Sequence, residues 1–338
     1  MKIAVLGAGA WGSALASALA KTERHAVLLW GRDASLMATL ATQSENTRYL
    51  PGIALASTLK FSSDWAAVLA HSSQPNDLII IATSVAGLRP MLQQLAVHGN
   101  TAGIIWLCKG LEEQTQLLPH QIVAEILGDQ ARAGALSGPS FASEVAQGLP
   151  VALTFATRHA SFADEVVQTL HSQSLRVYAT DDVTGVEIGG AVKNILAIAT
   201  GISEGLGLGL NSRAAIITRG LAEITRYGVA AGARPETFMG LAGVGDMILT
   251  CTGALSRNRK VGLLLAEGLC LSEILQQLGH VAEGVRCAQS VRQQAQHYGV
   301  DMPIVNAVCR VLFEGVTPKA AIQSLLARDP AQEVGSRI

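Results

Sequence analysis

The sequence predicts an α/β fold, a doubly wound parallel sheet, followed by an all-helical domain. Three observations carry this. A short apolar run, Ile3-Ala4-Val5-Leu6, breaks at the glycine-rich turn Gly7-Ala8-Gly9-Ala10-Trp11-Gly12 and resumes as the small residues Ser13-Ala14-Leu15-Ala16. Further short apolar runs recur through the first half, separated by helix-length segments, as parallel strands buried on both faces require. Beyond Asp181 such runs stop and apolar residues recur at helical spacing.

Taken in order, Ile3 to Leu6 reads as the first strand and Ser13 to Lys21 as the helix after it. Ala26 to Trp30 is a second strand, Leu78 to Ala82 a third and Ile104 to Leu107 a fourth; each is an unbroken apolar run too short for a helix. A fifth ends at Ala135-Leu136, and Val151 to Phe155 and Arg176 to Tyr178 add two more. In the second half the pattern predicts helices over Gly185 to Glu204, Ala214 to Ala231, Pro235 to Leu241 and Arg259 to Glu267. Others are predicted over Leu271 to Leu278, Val285 to Tyr298, Pro303 to Glu314 and Pro318 to Leu326. Pro235, Pro303 and Pro318 stand where a first helical turn tolerates proline. The expected domains are 1–180 and 181–338.

Composition narrows the class. The 338 residues exceed what one ordinary core supports. Apolar residues make up 49% and aromatics 4%, so core volume comes from Ala, Val, Leu and Ile. A net charge of -1 gives no global field for nucleic acid or an anionic membrane. Cys108, Cys251, Cys270, Cys287 and Cys309 form no CxxC pair and no zinc pattern with His, so reduced thiols and no metal are expected. No cationic leader precedes the first strand, and no run of about 20 apolar residues lacks Gly or polar breaks. A cytoplasmic protein without integral membrane contact is the expectation.

The turn carries chemistry. A lone GxGxxG is a weak signal, but here it follows a strand and opens a helix, the context of a Rossmann-type dinucleotide site. Gly7 permits the tight turn, Gly9 lets backbone amides reach a pyrophosphate, and Gly12 lets the helix pack on the strand. The helix N-terminus adds partial positive charge. After the second strand the chain reads Gly31-Arg32-Asp33. Arg32 is the first charge, suited to a 2′-phosphate, so NADP(H) is expected; Asp33 leaves NAD(H) open.

Further motifs follow in order: Cys108-Lys109-Gly110-Leu111-Glu112, Ser137-Gly138-Pro139-Ser140-Phe141-Ala142 and Gly190-Ala191-Val192-Lys193-Asn194. Then come Gly243-Val244-Gly245-Asp246-Met247-Ile248-Leu249-Thr250-Cys251, Ser256-Arg257-Asn258-Arg259-Lys260 and Glu283-Gly284. With the N-terminal turn, this set closely resembles the NAD(P)-dependent glycerol-3-phosphate dehydrogenases, from about Ile3 to about Pro303. The resemblance implies reversible reduction of dihydroxyacetone phosphate to sn-glycerol 3-phosphate, supplying glycerophospholipid synthesis, and a homodimer.

Roles follow from the same resemblance. Lys193 is implied as proton donor and acceptor; on spacing alone it reads as a lysine snorkelling from a helix. Partial burial among small apolar residues is expected to lower its pKa toward neutrality. Lys109 is implied near substrate and nicotinamide, and Asp246 at the hydroxyl end of the substrate, where it also stands to pair with Lys193. Thr250 follows Asp246 at i+4 and so shares its face, which leaves two readings open, a substrate contact and a core hydroxyl bonded to its own helix. Gly138 and Ser140 match a substrate loop. Ser256, Arg257 and Asn258 match a phosphate clamp, for which the planar Arg fork suits phosphate oxygens. Cofactor contacts are implied for Gly7, Gly9, Ala10, Trp11, Gly12, Arg32, Lys109, Ala142, Arg257, Val281 and Glu283. Two departures stand out: Ala10 replaces a common Ser, and Ser140 a common Thr. Two other readings stay open, a β-hydroxyacid dehydrogenase or ketoacid reductase of related build, and a non-catalytic NAD(P)H sensor.

Overall fold

The computed structural model describes residues 1–278 and 282–327. It divides into two compact units, Met1–Lys109 with Leu117–Val183, and Gly110–Gln116 with Thr184–Ile338.

The first unit opens with β1 (Lys2–Leu6), α1 (Ala10–Lys21), β2 (Ala26–Trp30), α2 (Ala34–Gln43), β3 (Lys60–Ser62) and α3 (Trp65–His71). It continues with β4 (Leu78–Ile81), α4 (Val85–Val97), β5 (Gly103–Trp106), α5 (Pro119–Leu127) and β6 (Ala133–Ser137). Last come α6 (Ala142–Gln147), β7 (Val151–Ala156), α7 (Ala160–Leu170) and β8 (Leu175–Thr180). The strands form one eight-stranded sheet in the order β3-β2-β1-β4-β5-β6-β7-β8. The strand order reverses at β1, which pairs in parallel with β2 and β4 and places Leu6 level with Trp30 and Ile81. Ligands of open α/β sheets bind beyond the strand ends at such a point.

Two features depart from the predicted sheet. The edge strand β3 was not expected: it has three residues, none fully buried, so it leaves no apolar run to read. The predicted all-parallel sheet also has one exception, since β7 pairs antiparallel with β6. Between them α6 has only six residues. That helix rises about 9 Å, too little to carry the chain back along a strand of about 17 Å. The chain therefore turns around, and β8 then pairs in parallel with β7.

The second unit is helical. Its helices are α8 (Val183–Gly205), α9 (Gly209–Ala230), α10 (Asp246–Thr252), α11 (Arg257–Ala266), α12 (Leu271–Leu278), α13 (Glu283–His297), α14 (Pro303–Phe313) and α15 (Pro318–Leu326). Among the described residues no strand follows β8. The helix expected at Pro235 is instead a 3-10 turn over Pro235–Met239, followed by a π turn over Leu241–Gly245. The segment 110–116 lies away from this run in sequence but belongs to the same unit. Its Gln116 Nε2 donates to Gln293 Oε1 at 2.5 Å, on α13.

Helix α8 is the hub. It is the one described helix long and apolar enough to cross a membrane, and its apolar window is wholly buried in the fold. Small residues let neighbours reach its backbone. A Cβ on Gly201 would stand 2.0 Å from the Arg259 carbonyl oxygen, and one on Gly262 would stand 2.1 Å from that of Ile198. Helix α11 therefore crosses α8 backbone to backbone. Arg259, from the basic start of α11, pairs with Glu204 at the end of α8, its Nε 2.9 Å from Oε2. Glu223 of α9 accepts the Ile304 and Val305 amides at 2.7 and 3.3 Å and so caps α14. Burial raises its carboxyl to about 7.

Candidate active site

The first unit supplies a cradle made of backbone. Gly7 has φ +124°, and a Cβ there would meet the Ala82 carbonyl oxygen at 2.8 Å. A Cβ on Gly12 would stand 2.0 Å from the Gly7 carbonyl oxygen, so only glycine lets α1 start this close to β1. Gly9 differs. It is the N-cap of α1 with φ −76°, and a Cβ there would meet nothing within 4 Å. Nothing in the chain therefore demands glycine at this position. Its missing side chain leaves room for a ligand over the first turn of α1, which has no side-chain cap and no acidic residue. Such a turn presents unpaired amides to an anion. Ala10 begins α1, and Trp11 packs partly buried against the core.

At the end of β2, Arg32 is exposed. Asp33 is engaged elsewhere. One oxygen accepts the Leu36 amide at 3.1 Å as the cap of α2, and the other faces Arg48 at 3.3 Å. Arg48 was not read from the sequence; it lies in the loop after α2, and no local pattern marks it.

Beyond two further strand ends, buried hydroxyls lack partners. Thr83 Oγ1 follows β4 and Ser137 Oγ ends β6, and neither has a hydrogen-bond partner. Buried polar atoms are rarely left so, and both lie where an α/β sheet receives its ligands. With the open space at Gly9, they make the first unit a good fit for a dinucleotide. Thr83 could have been found from the sequence, since it directly follows the run Leu78 to Ala82. Next to Ser137, Gly138 has φ +136°. Its carbonyl accepts Ser140 Oγ at 3.1 Å and Lys109 Nζ at 3.5 Å, which draws three predicted residues together. Ala142 begins α6 and packs against the core.

The second unit supplies a buried cluster of side chains. Lys193 is 6% exposed and Asp246 2%. Lys193 Nζ donates to Asp246 Oδ1 at 2.5 Å and to Thr250 Oγ1 at 2.8 Å. Thr250 in turn donates to the Asp246 carbonyl at 2.6 Å, fixing its hydroxyl one helical turn along α10. The snorkelling alternative for Lys193 is thereby excluded. Gly189 makes the approach possible. It lies one turn before Lys193, and a Cβ there would stand 2.5 Å from the Ala242 carbonyl oxygen. The π turn thus seats on α8 and delivers Asp246 to the lysine. Burial disfavours the ammonium and the carboxylate favours it, so the two effects oppose each other. The neighbouring Cys251 thiol is pushed up to about 12 by burial and is inert.

At the start of α11 the predicted clamp residues separate. Ser256 caps the helix, its Oγ accepting the Arg259 amide at 3.2 Å. Arg257 is exposed, at the first helical position. Asn258 is buried, donates to Asn194 Oδ1 at 2.9 Å and accepts the Gly284 amide at 3.0 Å. Its carboxamide thus ties α11 to α8 and α13. Glu283 opens α13, while Val281 lies outside the described residues. Among the described residues no group of three or more His, Cys, Asp and Glu could hold a metal ion.

Known proteins resemble both units of this chain. Residues 2–167 match the family model of the NAD-dependent glycerol-3-phosphate dehydrogenase N-terminus, and residues 182–323 that of its C-terminus. A glycerol-3-phosphate dehydrogenase [NAD(P)+] of Herminiimonas arsenicoxydans is 60% identical over 99% of this chain and 100% of its own length. One of Paucimonas lemoignei is 61% identical, over 98% of each chain. The crystal structure of the Coxiella burnetii glycerol-3-phosphate dehydrogenase superposes with a TM-score of 0.90 at 41% identity, covering 97% of this chain and 99% of that one.

Proposed function

The chain belongs to the NAD-dependent glycerol-3-phosphate dehydrogenase family, and on that premise we propose how its residues divide the reaction. It is an NAD(P)-dependent oxidoreductase interconverting dihydroxyacetone phosphate and sn-glycerol 3-phosphate. The observation that carries the assignment of roles is the buried Lys193–Asp246–Thr250 cluster.

A nicotinamide bound in the first unit would supply or accept the hydride at carbon 2 of the substrate. Lys193 Nζ donates a proton to the carbonyl oxygen in reduction and takes it back from the hydroxyl in oxidation. Asp246 and Thr250 hold that nitrogen in one orientation, so the proton is delivered to one atom. Lys109, held at the Gly138 carbonyl, orients the carbonyl and stabilises negative charge developing there. Arg257 holds the substrate phosphate, aided by the first turn of α11, whose cap is Ser256. Asn258 sets the position of that turn. Gly138 and Ser140 shape the loop beside Lys109. The amides of Gly9 to Gly12 would hold the pyrophosphate, and Arg32 would meet a ribose 2′-phosphate, which favours NADP(H). Ala142, Val281 and Glu283 complete the cofactor contacts.

Supply of sn-glycerol 3-phosphate for glycerophospholipid synthesis in the cytoplasm is the role that follows. The exposed Leu208 and Leu210 at the start of α9 support a homodimer. The test is a paired initial-rate assay of NADPH and NADH with dihydroxyacetone phosphate. Oxidation of both, with the higher kcat/KM for NADPH, is expected. No oxidation of either would refute the assignment, and a preference for NADH would remove the role given to Arg32.

A further inference from the structure

Asn46 has no part in the chemistry above, and its side chain is completely buried. It follows α2 and the left-handed Ser44 that ends it. Its Nδ2 donates to the Ala8 carbonyl at 3.0 Å and to Ser13 Oγ at 2.8 Å. Its Oδ1 accepts the Tyr49 amide at 3.1 Å. One carboxamide thus spends one donor hydrogen on the glycine-rich turn, the other on the helix that the turn opens, and its acceptor on the loop that carries Arg48. No other side chain type supplies two donors and an acceptor in this short, neutral form. The rest of the segment is strapped along α1 in the same way. Ser17 Oγ accepts the Ala56 amide at 2.9 Å, and Thr58 Oγ1 donates to the Ala20 carbonyl at 3.1 Å.

The contacts on the turn are specific to its function. Ala8 lies between Gly7 and Gly9. Holding its carbonyl on Asn46 fixes the plane of the Ala8–Gly9 peptide and with it the direction of the Gly9 amide. Ser13 sits at the end of the first turn of α1, so the second bond fixes the other end of the amide row. The bond to Tyr49 holds the loop in which Arg48 meets Asp33, beside Arg32.

We propose that Asn46 is a positioning residue for the cofactor, holding the pyrophosphate turn and the ribose-side loop in one fixed arrangement. This rests on the reading of Gly7 to Gly12 as the pyrophosphate site. Losing Asn46 leaves the turn intact in sequence but free to rotate its amides away from the ligand. The cost falls on cofactor affinity, not on the proton transfer carried by Lys193. It falls more heavily on NADPH than on NADH, because Arg48 in that loop holds the Asp33 carboxylate beside Arg32, and a released carboxylate there would repel a 2′-phosphate.

The test uses the full-length enzyme and titrates NADPH and NADH by quenching of tryptophan fluorescence, with steady-state kinetics alongside. Asn46→Ala is expected to raise the Kd for NADPH roughly 10- to 100-fold, as loss of two buried hydrogen bonds implies. The NADH Kd should rise less, and kcat at saturating cofactor and KM for dihydroxyacetone phosphate should move less than about threefold. Ser13→Ala, which removes one partner and keeps the fold, should raise the NADPH Kd by a few-fold. A merely structural asparagine would lower the melting temperature while the folded enzyme kept its cofactor affinity. Unchanged Kd in both variants overturns the proposal, as does a kcat loss as large as the Kd change. Gly9→Val separates the two readings: if it leaves NADPH binding intact, the turn is not the pyrophosphate site, whatever Asn46 does.

Discussion

The glycine-rich turn and the Lys193 cluster are built from opposite materials. The turn is backbone: its working groups are amides, and its residues matter for what they lack. The cluster is side chain: an ammonium, a carboxylate and a hydroxyl, all buried, brought together by a helix and a π turn. Backbone sites are set by local sequence, whereas side-chain sites are set by tertiary packing. A backbone site also tolerates change outside its glycines, which is why Ala10 in place of Ser leaves the cradle intact. The cluster has no such slack, because removing one partner strands a buried charge.

If the division holds, substitutions in the two regions must fail differently. The largest effect should come from Lys193→Met, in which turnover falls by roughly 10²–10⁴-fold. NADPH Kd, read by fluorescence titration, should stay within about twofold. A matching loss of affinity would break the separation between the two regions.

The next effect concerns pH and the scaffold of the helical unit. The Glu223 carboxyl is raised to about 7, above its ordinary value of 4.5. The folded state therefore holds that proton more tightly than the unfolded chain. The stability this confers is fully present below pH 4.5 and is lost as pH rises toward 7, by an amount on the order of 3 kcal/mol. Denaturant midpoints across this range should fall with pH in the wild type and fall less in Glu223→Gln.

Arg257→Ala should raise the KM for dihydroxyacetone phosphate roughly tenfold or more, the worth of charge-assisted bonds to phosphate, and leave NADPH Kd within about threefold. An unchanged KM would move the clamp elsewhere. The smallest effect is Ser256→Ala, where loss of the α11 cap should cost about 1 kcal/mol in unfolding experiments. A larger rise in KM than in Arg257→Ala would make Ser256 the primary phosphate ligand.

The same contrast explains what the sequence could disclose. Gly7, Gly9 and Gly12 stand within six residues, between a strand and a helix, so the turn and its backbone geometry were legible from local sequence. Lys193 and Asp246 are separated by 53 positions. Only the resemblance joined them, since no periodicity links a lysine on α8 to an aspartate after a π turn. The strands with unbroken apolar runs were legible because both faces are buried. The edge strand β3 and the reversal at β7 were not, since one lacks a run and the other depends on the length of α6. Asn46 was hidden for the same reason as Asp246: a polar residue after a helix looks like any loop residue until its partners, 33 and 38 positions away, are known.

The central claim is that the cradle accepts the dinucleotide while the helical unit selects a phosphorylated ketone. It is tested most directly by turnover with saturating NADPH on dihydroxyacetone phosphate and on unphosphorylated dihydroxyacetone. A kcat/KM at least about 100-fold higher for the phosphorylated ketone is predicted, consistent with charge-assisted phosphate contacts. Equal values for the two would contradict it.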